Sequence, residues 1–162
     1  NGPVAVRYPR GKDLSYTDSA WQALTDVTEK CALTCHREGK DLTIITYGTL
    51  IENAMDAAKR LSEQGIEATV LRLLTISPLP VDAVLEHMAE NKQVIVVEET
   101  NTGCGIHAQL SVSLRQKNCT VEAIDLGKGF VTHGSLSALH RAYGMDGQGI
   151  ANFVMEVLHR ED

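Results

Sequence analysis

The sequence has no long hydrophobic run. No apolar stretch among its 162 residues approaches the ~18 residues that a membrane-spanning helix needs. No signal peptide opens the chain, and its first residue is Asn1 rather than Met. We therefore expect a cytoplasmic protein with no membrane partner, and we expect the chain to be a fragment of a longer one.

Cysteine is also scarce. The four cysteines are Cys31, Cys35, Cys104 and Cys119, and six histidines accompany them. A zinc site of the finger type needs two closely spaced pairs of ligands. Cys31 and Cys35 stand four positions apart, and no second ligand pair lies beside them. We predict no metal site, and we expect reduced structural thiols in a reducing compartment.

Positive charge is missing from most of the chain. The net charge of -6 argues against binding to nucleic acid and to anionic membranes. Residues 1–12 contain Arg7, Arg10 and Lys12 and no acidic residue, a local charge of +3 that leaves -9 for the other residues. The basic charge is therefore concentrated at the start of the chain.

What the sequence does contain is an alternation of strand and helix patterns. Runs rich in β-branched residues at 41–47, 67–73, 93–97 and 119–126 are each followed by a helical pattern. The helices are expected at 49–61, from Pro80 through Met88, up to about Gln116, and near 135–143 and 149–159, with a capping box formed by Thr49 and Glu52. This alternation predicts an α/β protein with a parallel sheet covered by helices on both faces.

A further strand is predicted at residues 32–36, with the sequence ALTCH. The turn Glu38-Gly39-Lys40 follows it and leads directly into the strand at 41–47. A connection this short joins antiparallel neighbours, so we expect the two strands to pair at an edge of the sheet. Residues 17–30 fit a helix and an irregular segment equally well.

The stretch VIVVEETNTGCGIHAQL resembles a nucleotide-binding loop, since Gly103, Gly105 and Ala108 form a G-x-G-x-x-A pattern. In dinucleotide folds the glycines follow the strand almost directly, and the phosphates bind at the helix N-terminus. Here Glu98 and Glu99 stand between strand and glycines, where they would repel a pyrophosphate. We favour a structural role in which a carboxylate complements the helix N-terminus. A contribution of the carboxylates to a subunit or domain contact stays open.

Histidines provide the other candidates for chemistry. His133 lies in a Thr-His-Gly-Ser stretch after the last strand, where it is either catalytic or a hydrogen-bonded loop residue, and Ser135 is placed to cap the next helix. His107 and His140 fall on predicted helices, on faces expected to be partly exposed. No Ser-His-acid triad can be assembled from the sequence, and we predict no catalytic residue in this chain.

The first residues form the motif GPVAVRYPRG, an apolar run that ends in two arginines around Tyr-Pro. Pro9 fixes the backbone and Gly11 permits a tight exit. Arg10 is therefore well placed to bind a phosphate through two hydrogen bonds. The alternative is that the segment is a solvated linker.

This motif, at residues 2–11, resembles the junction between the second and third domains of 1-deoxy-D-xylulose-5-phosphate synthases, in the transketolase-like thiamine-diphosphate family. The resemblance covers nearly the whole chain. It continues through GKDLTIITYGT at 39–49, TISPL at 75–79, the Val-Glu-Glu strand end with its glycines, and the tail from Phe130 through His133-Gly134-Ser135 to Ile150.

The resemblance implies a three-layer α/β/α domain with a five-stranded, mostly parallel sheet and one antiparallel edge strand. Residues 1–12 would be the junction with a preceding pyrimidine-binding domain that is missing here, and residues 13–162 the transketolase C-terminal-like domain. The same resemblance implies a homodimer in which the preceding thiamine-binding domains, of the same chain or a partner chain, contact this domain.

Thiamine diphosphate and Mg²⁺ are implied to bind between the other two domains of the intact enzyme, and none is expected on this fragment. The implied reaction joins a two-carbon unit from pyruvate to glyceraldehyde 3-phosphate with loss of carbon dioxide, in isoprenoid and thiamine precursor synthesis. Arg10 would bind the phosphate of the aldehyde substrate, with Arg7 as a second candidate. The alternatives are a transketolase C-terminal section and a stand-alone assembly or binding module.

Overall fold

The computed structural model describes residues 2–6 and 32–160, and a five-stranded sheet lies at the centre of this part of the chain. The strands are β1 (Leu33–Arg37), β2 (Leu42–Tyr47), β3 (Ala68–Leu73), β4 (Gln93–Val97) and β5 (Thr120–Ile124). Their order is β1-β3-β2-β4-β5, with β1 antiparallel to β3 and the other pairs parallel. The predicted mostly parallel sheet with one antiparallel edge strand is confirmed.

Five α-helices accompany the strands in the described residues. They are α1 (Ile51–Ser62), α2 (Val81–His87), α3 (Ile106–Arg115), α4 (Leu136–Ala142) and α5 (Gly147–His159). Ser135 caps α4, as predicted, by accepting a hydrogen bond from the backbone N–H of Ala138. The predicted capping box is wrong, because Thr49 lies inside a 3-10 turn and α1 begins after Leu50 with no side-chain cap. None of the helices at 32–160 has the length and apolar character that crossing a membrane requires.

The sheet is buried on both faces. Successive strand residues point to opposite sides, so Ile44 and Ile95 pack with α1 and α5, whereas Ile45 and Val96 pack with α2 and α3. Each of these four side chains is fully buried, and burying one stabilises the fold by about 1.5–3 kcal/mol. The result is the three-layer α/β/α arrangement.

The neighbour of β1 differs from the prediction. β1 pairs with β3 rather than with β2, so the predicted β1–β2 pairing is wrong. The link between them crosses the amino end of β3, where Gly39 N–H donates to Thr69 Oγ1 at 2.9 Å and Asp41 N–H donates to the Glu67 carbonyl at 2.9 Å. A Cβ atom at Gly39 would overlap the backbone of Glu67 and Ala68. Glycine therefore allows β3 to lie between two strands that are consecutive in the sequence.

Candidate functional site

Two connections leave the same edge of the sheet, at the carboxyl ends of the parallel strands, where open α/β sheets bind ligands. One is the glycine turn, residues 98–105, which follows β4. The other contains the outer segment, residues 128–136, and follows β5. The two are joined at their bases, because Leu126 N–H donates to the Thr100 carbonyl at 2.9 Å and Thr102 N–H donates to the Gly127 carbonyl at 3.0 Å.

The glycine turn is filled by the carboxylate of Glu98. This side chain is buried, and it accepts hydrogen bonds from the backbone N–H groups of Ile106 at 2.8 Å and His107 at 3.2 Å. These are the first residues of α3, whose N–H groups have no partner within the helix and carry partial positive charge. The carboxylate therefore occupies the place that a phosphate would take. This supports the structural role favoured from the sequence and disfavours a nucleotide site.

Gly105 and Tyr47 complete the surroundings of this carboxylate. A Cβ atom at Gly105 would collide with the carboxylate of Glu98, so only glycine permits this approach. The Tyr47 hydroxyl donates to Glu98 Oε2 at 3.4 Å. Burial, followed by the negative charge of Glu98, raises the pKa of Tyr47 to about 12. The carboxylate of Glu98 is therefore held in the turn by donors of the chain itself.

Glu99, the next residue, belongs to a second network that sequence reasoning missed. Glu99 Oε1 lies 2.9 Å from His140 Nε2 on α4, and His140 Nδ1 lies 2.9 Å from Asn53 Nδ2 on α1. The same Asn53 nitrogen donates to the Met145 carbonyl at 2.8 Å. The His140 side chain, expected on a partly exposed face, is only 12% exposed. No sequence pattern points to this network, because its members lie 41 and 87 positions apart.

The outer segment has the opposite character. Phe130 is fully exposed, Leu136 is 52% exposed, and Val131 is 38% exposed. His133, the loop histidine singled out from the sequence, is exposed as well. The following helix α4 contains no buried residue. This part of the edge therefore presents apolar side chains to solvent.

The remaining candidates are the thiols, the metal-ligand types and the two arginines of the first motif. Cys35, Cys104 and Cys119 are free thiols, and burial raises the pKa of Cys35 and Cys119. No group of three His, Cys, Asp or Glu side chains that could hold a metal ion occurs within 2–6 and 32–160. Arg7 and Arg10 lie outside the described residues, so their phosphate-binding role stays a prediction.

The described residues form a three-layer α/β domain. Its turn that resembles a nucleotide-binding loop is filled by the carboxylate of Glu98. The family model of the transketolase C-terminal domain matches residues 32–150. The chain belongs to this family.

Similar proteins carry the same domain within longer chains. The sequence is 34% identical over 160 residues to 1-deoxy-D-xylulose-5-phosphate synthase of Thiobacillus denitrificans, covering 98% of this chain and 25% of the synthase. It is 29% identical over 158 residues to the synthase of Heliobacterium modesticaldum, covering 96% and 24%. A solved split gene transketolase, in an inactive beta4 tetramer, superposes with a TM-score of 0.66 and 25% identity over 78% of this chain and 42% of that one. The chain thus spans about a quarter of the length of the curated relatives it matches.

Proposed function

We propose that the chain is the C-terminal domain of a thiamine-diphosphate-dependent transferase that joins a two-carbon unit from pyruvate to glyceraldehyde 3-phosphate. The observation that carries this proposal is the match of 98% of the chain to one quarter of a 1-deoxy-D-xylulose-5-phosphate synthase. Residues 1–12 would then be the junction to the preceding domain, and 13–162 the C-terminal domain. The cytoplasmic location expected from the sequence stays a prediction.

In this proposal the cofactor is held by the preceding domains. A diphosphate needs an anion site, and the free N–H groups of α3 are already taken by Glu98. Mg²⁺ needs several oxygen ligands, and no ligand cluster occurs in the described residues. The glycine turn therefore does not fit a diphosphate, which supports a cofactor site on the preceding domains. We expect the isolated chain neither to bind the cofactor nor to decarboxylate pyruvate.

The role proposed for this chain in substrate binding rests on Arg10. Its motivation is the local charge of +3 in residues 1–12, the rigid Tyr8-Pro9 before it and the permissive Gly11 after it. A guanidinium can bind a phosphate through two parallel hydrogen bonds, which an ammonium cannot. Arg7 precedes it in the motif and is the weaker candidate.

The test of Arg10 uses the full-length enzyme. Arg10→Ala should lower kcat/KM for glyceraldehyde 3-phosphate by about one to two powers of ten, because a charge-assisted hydrogen bond contributes roughly 1.5–3 kcal/mol. An unphosphorylated aldehyde and the decarboxylation of pyruvate alone should be much less affected. Arg10→Lys should recover part of the loss.

The control for this experiment is Arg115→Ala, which removes an exposed arginine from the end of α3 and should leave both aldehydes unaffected. An equal loss for both aldehydes in Arg10→Ala would assign Arg10 a structural role. Unchanged kinetics would make the segment a linker.

The partners proposed for the domain are the preceding thiamine-binding domains, in a homodimeric enzyme. The exposed apolar side chains of the outer segment, Phe130 above all, support a covering domain, because large apolar surface is often buried at interaction sites. The alternative is a transketolase C-terminal section, which the similarity to a split gene transketolase supports. A thiamine-diphosphate motif upstream of Asn1 in the same chain, or one in a neighbouring chain, supports the enzyme. If neither motif is found, the remaining interpretation is a stand-alone assembly or binding module.

A further inference from the structure

One histidine ties α4 to the rest of the domain, and its neighbours determine which ring nitrogen carries the proton. Asn53 Nδ2 lies 2.8 Å from the Met145 carbonyl, which can only accept, so this contact identifies the amide nitrogen. The same nitrogen lies 2.9 Å from His140 Nδ1, which must therefore accept. The proton of the neutral imidazole then sits on Nε2 and is donated to Glu99 Oε1 at 2.9 Å.

We propose that His140 is a proton-sensitive latch that fastens α4 to α1 only while its imidazole is neutral. A second proton would occupy Nδ1 and face the N–H groups of Asn53. Turning the amide around does not relieve this conflict, because one nitrogen makes both contacts. The Asn53 carbonyl oxygen would then face the Met145 carbonyl. Protonation of His140 therefore removes one of the two hydrogen bonds.

Charged groups on each neighbouring element decide what holds α4 after protonation. They are Glu98 and Glu99 of the glycine turn, Glu52 and Asp56 of α1, Arg141 of α4, and Asp146 before α5. Glu98 is bound to the N-terminus of α3, Asp56 pairs with Arg60 at 2.9 Å, and Arg141 lies 3.7 Å from Asp146. Glu99 makes the direct contact with His140 and attracts the imidazolium. A protonated His140 thus keeps the glycine turn and releases α1.

The latch acts on a weakly anchored helix. No residue of α4 is buried, so its polar contacts account for a large part of its attachment. The Met145 N–H donates to the His140 carbonyl at 2.7 Å, and Met145 itself is fully buried. Loss of the contact with Asn53 therefore weakens the attachment of α4 to α1, while its contact with the glycine turn through Glu99 is kept. The inference concerns the domain alone and does not depend on the proposed reaction.

The first test records long-range ¹H–¹⁵N correlations of the histidine rings in the 162-residue chain at neutral pH. We expect His140 as a single Nε2–H tautomer, whereas the exposed His133 should average between tautomers. Asn53→Asp replaces the donor by an acceptor and should draw a proton to Nδ1. A wild-type His140 that carries its proton on Nδ1, or that averages as His133 does, would overturn the proposal, whether or not the variant folds.

The second test lowers the pH until the His140 ring is protonated and follows hydrogen-exchange protection of the Tyr143 and Met145 amides. Protection should fall about fivefold, the size expected for one intramolecular hydrogen bond. His140→Gln removes the ring and should abolish this pH response, while the control His133→Gln should retain it. Constant protection in the wild type, or an equal response in His140→Gln, would contradict the latch.

Discussion

The glycine turn and the outer segment follow adjacent strands at the same end of the sheet. The glycine turn contains a buried, hydrogen-bonded carboxylate, whereas the outer segment exposes apolar side chains. In the glycine turn, both carboxylate oxygens of the buried Glu98 accept hydrogen bonds from the chain itself. In the outer segment, Phe130 is fully exposed and has no covering layer in the described residues. The segment that resembles a ligand site is filled by its own carboxylate, and the other segment presents apolar side chains to solvent.

The largest difference in stability between the two connections is expected when a glycine in each is replaced by alanine. Gly105→Ala should lower the free energy of unfolding by about 3 kcal/mol, because its Cβ would displace the buried carboxylate of Glu98. Gly129→Ala is the matched control in the outer segment, since nothing lies within 4 Å of a Cβ there. It should change stability by less than about 0.5 kcal/mol. Urea unfolding measures both, and equal losses would remove the contrast between the two connections.

A smaller effect is expected from the carboxylate itself. Glu98→Ala should cost about 2–3 kcal/mol of stability, because two N–H groups at the start of α3 lose their acceptor. Glu98→Gln keeps one oxygen acceptor and should cost about half as much. Thermal unfolding of both variants separates the two cases. If glutamine were as damaging as alanine, the negative charge rather than the number of accepted hydrogen bonds would hold the turn.

The smallest effect on stability is expected in the outer segment. Phe130→Ser should leave the free energy of unfolding unchanged within about 0.5 kcal/mol, because the ring has no neighbours to lose. It should instead weaken binding of the chain to the separately produced preceding domains by about tenfold or more. Val112→Ser, on the exposed face of α3, is the control and should bind normally. Unchanged binding of Phe130→Ser would place the contact elsewhere.

Much of the fold was predictable because the parallel strands are buried on both faces. Such strands form continuous apolar runs, as at Gln93–Val97, whose predicted and observed bounds agree. The pairing of β1 was not predictable, because a short link ordinarily makes a hairpin. The pairing of β3 with both β1 and β2, with Gly39 passing close over the backbone of Glu67 and Ala68, shows that β3 lies in between. That contact depends on tertiary structure rather than on local pattern.

The site was predictable where one residue acts on its sequence neighbours. The position of Glu98 and Glu99 just before the glycines indicated that a carboxylate complements the N-terminus of α3, and the structure identifies it as Glu98. The contacts of His140 with Glu99 and with Asn53 were not predictable, because they form only when α4 lies beside both α1 and the glycine turn. Arg7 and Arg10 rest on the sequence motif alone and stay predictions.

The route of the chain from β1 to β2 also sets an order of assembly. Only residues 38–41 separate these strands, but the hydrogen-bonded neighbour of β1 is β3, which comes later in the chain. β1 has no hydrogen-bonded neighbour in the described residues until β3 is in place, so we expect it to join late in folding and to detach first. Detachment of β1 exposes the backbone hydrogen-bonding groups on one edge of β3 and leaves the parallel strands paired. The domain should therefore lose its edge strand in a local opening before it unfolds as a whole.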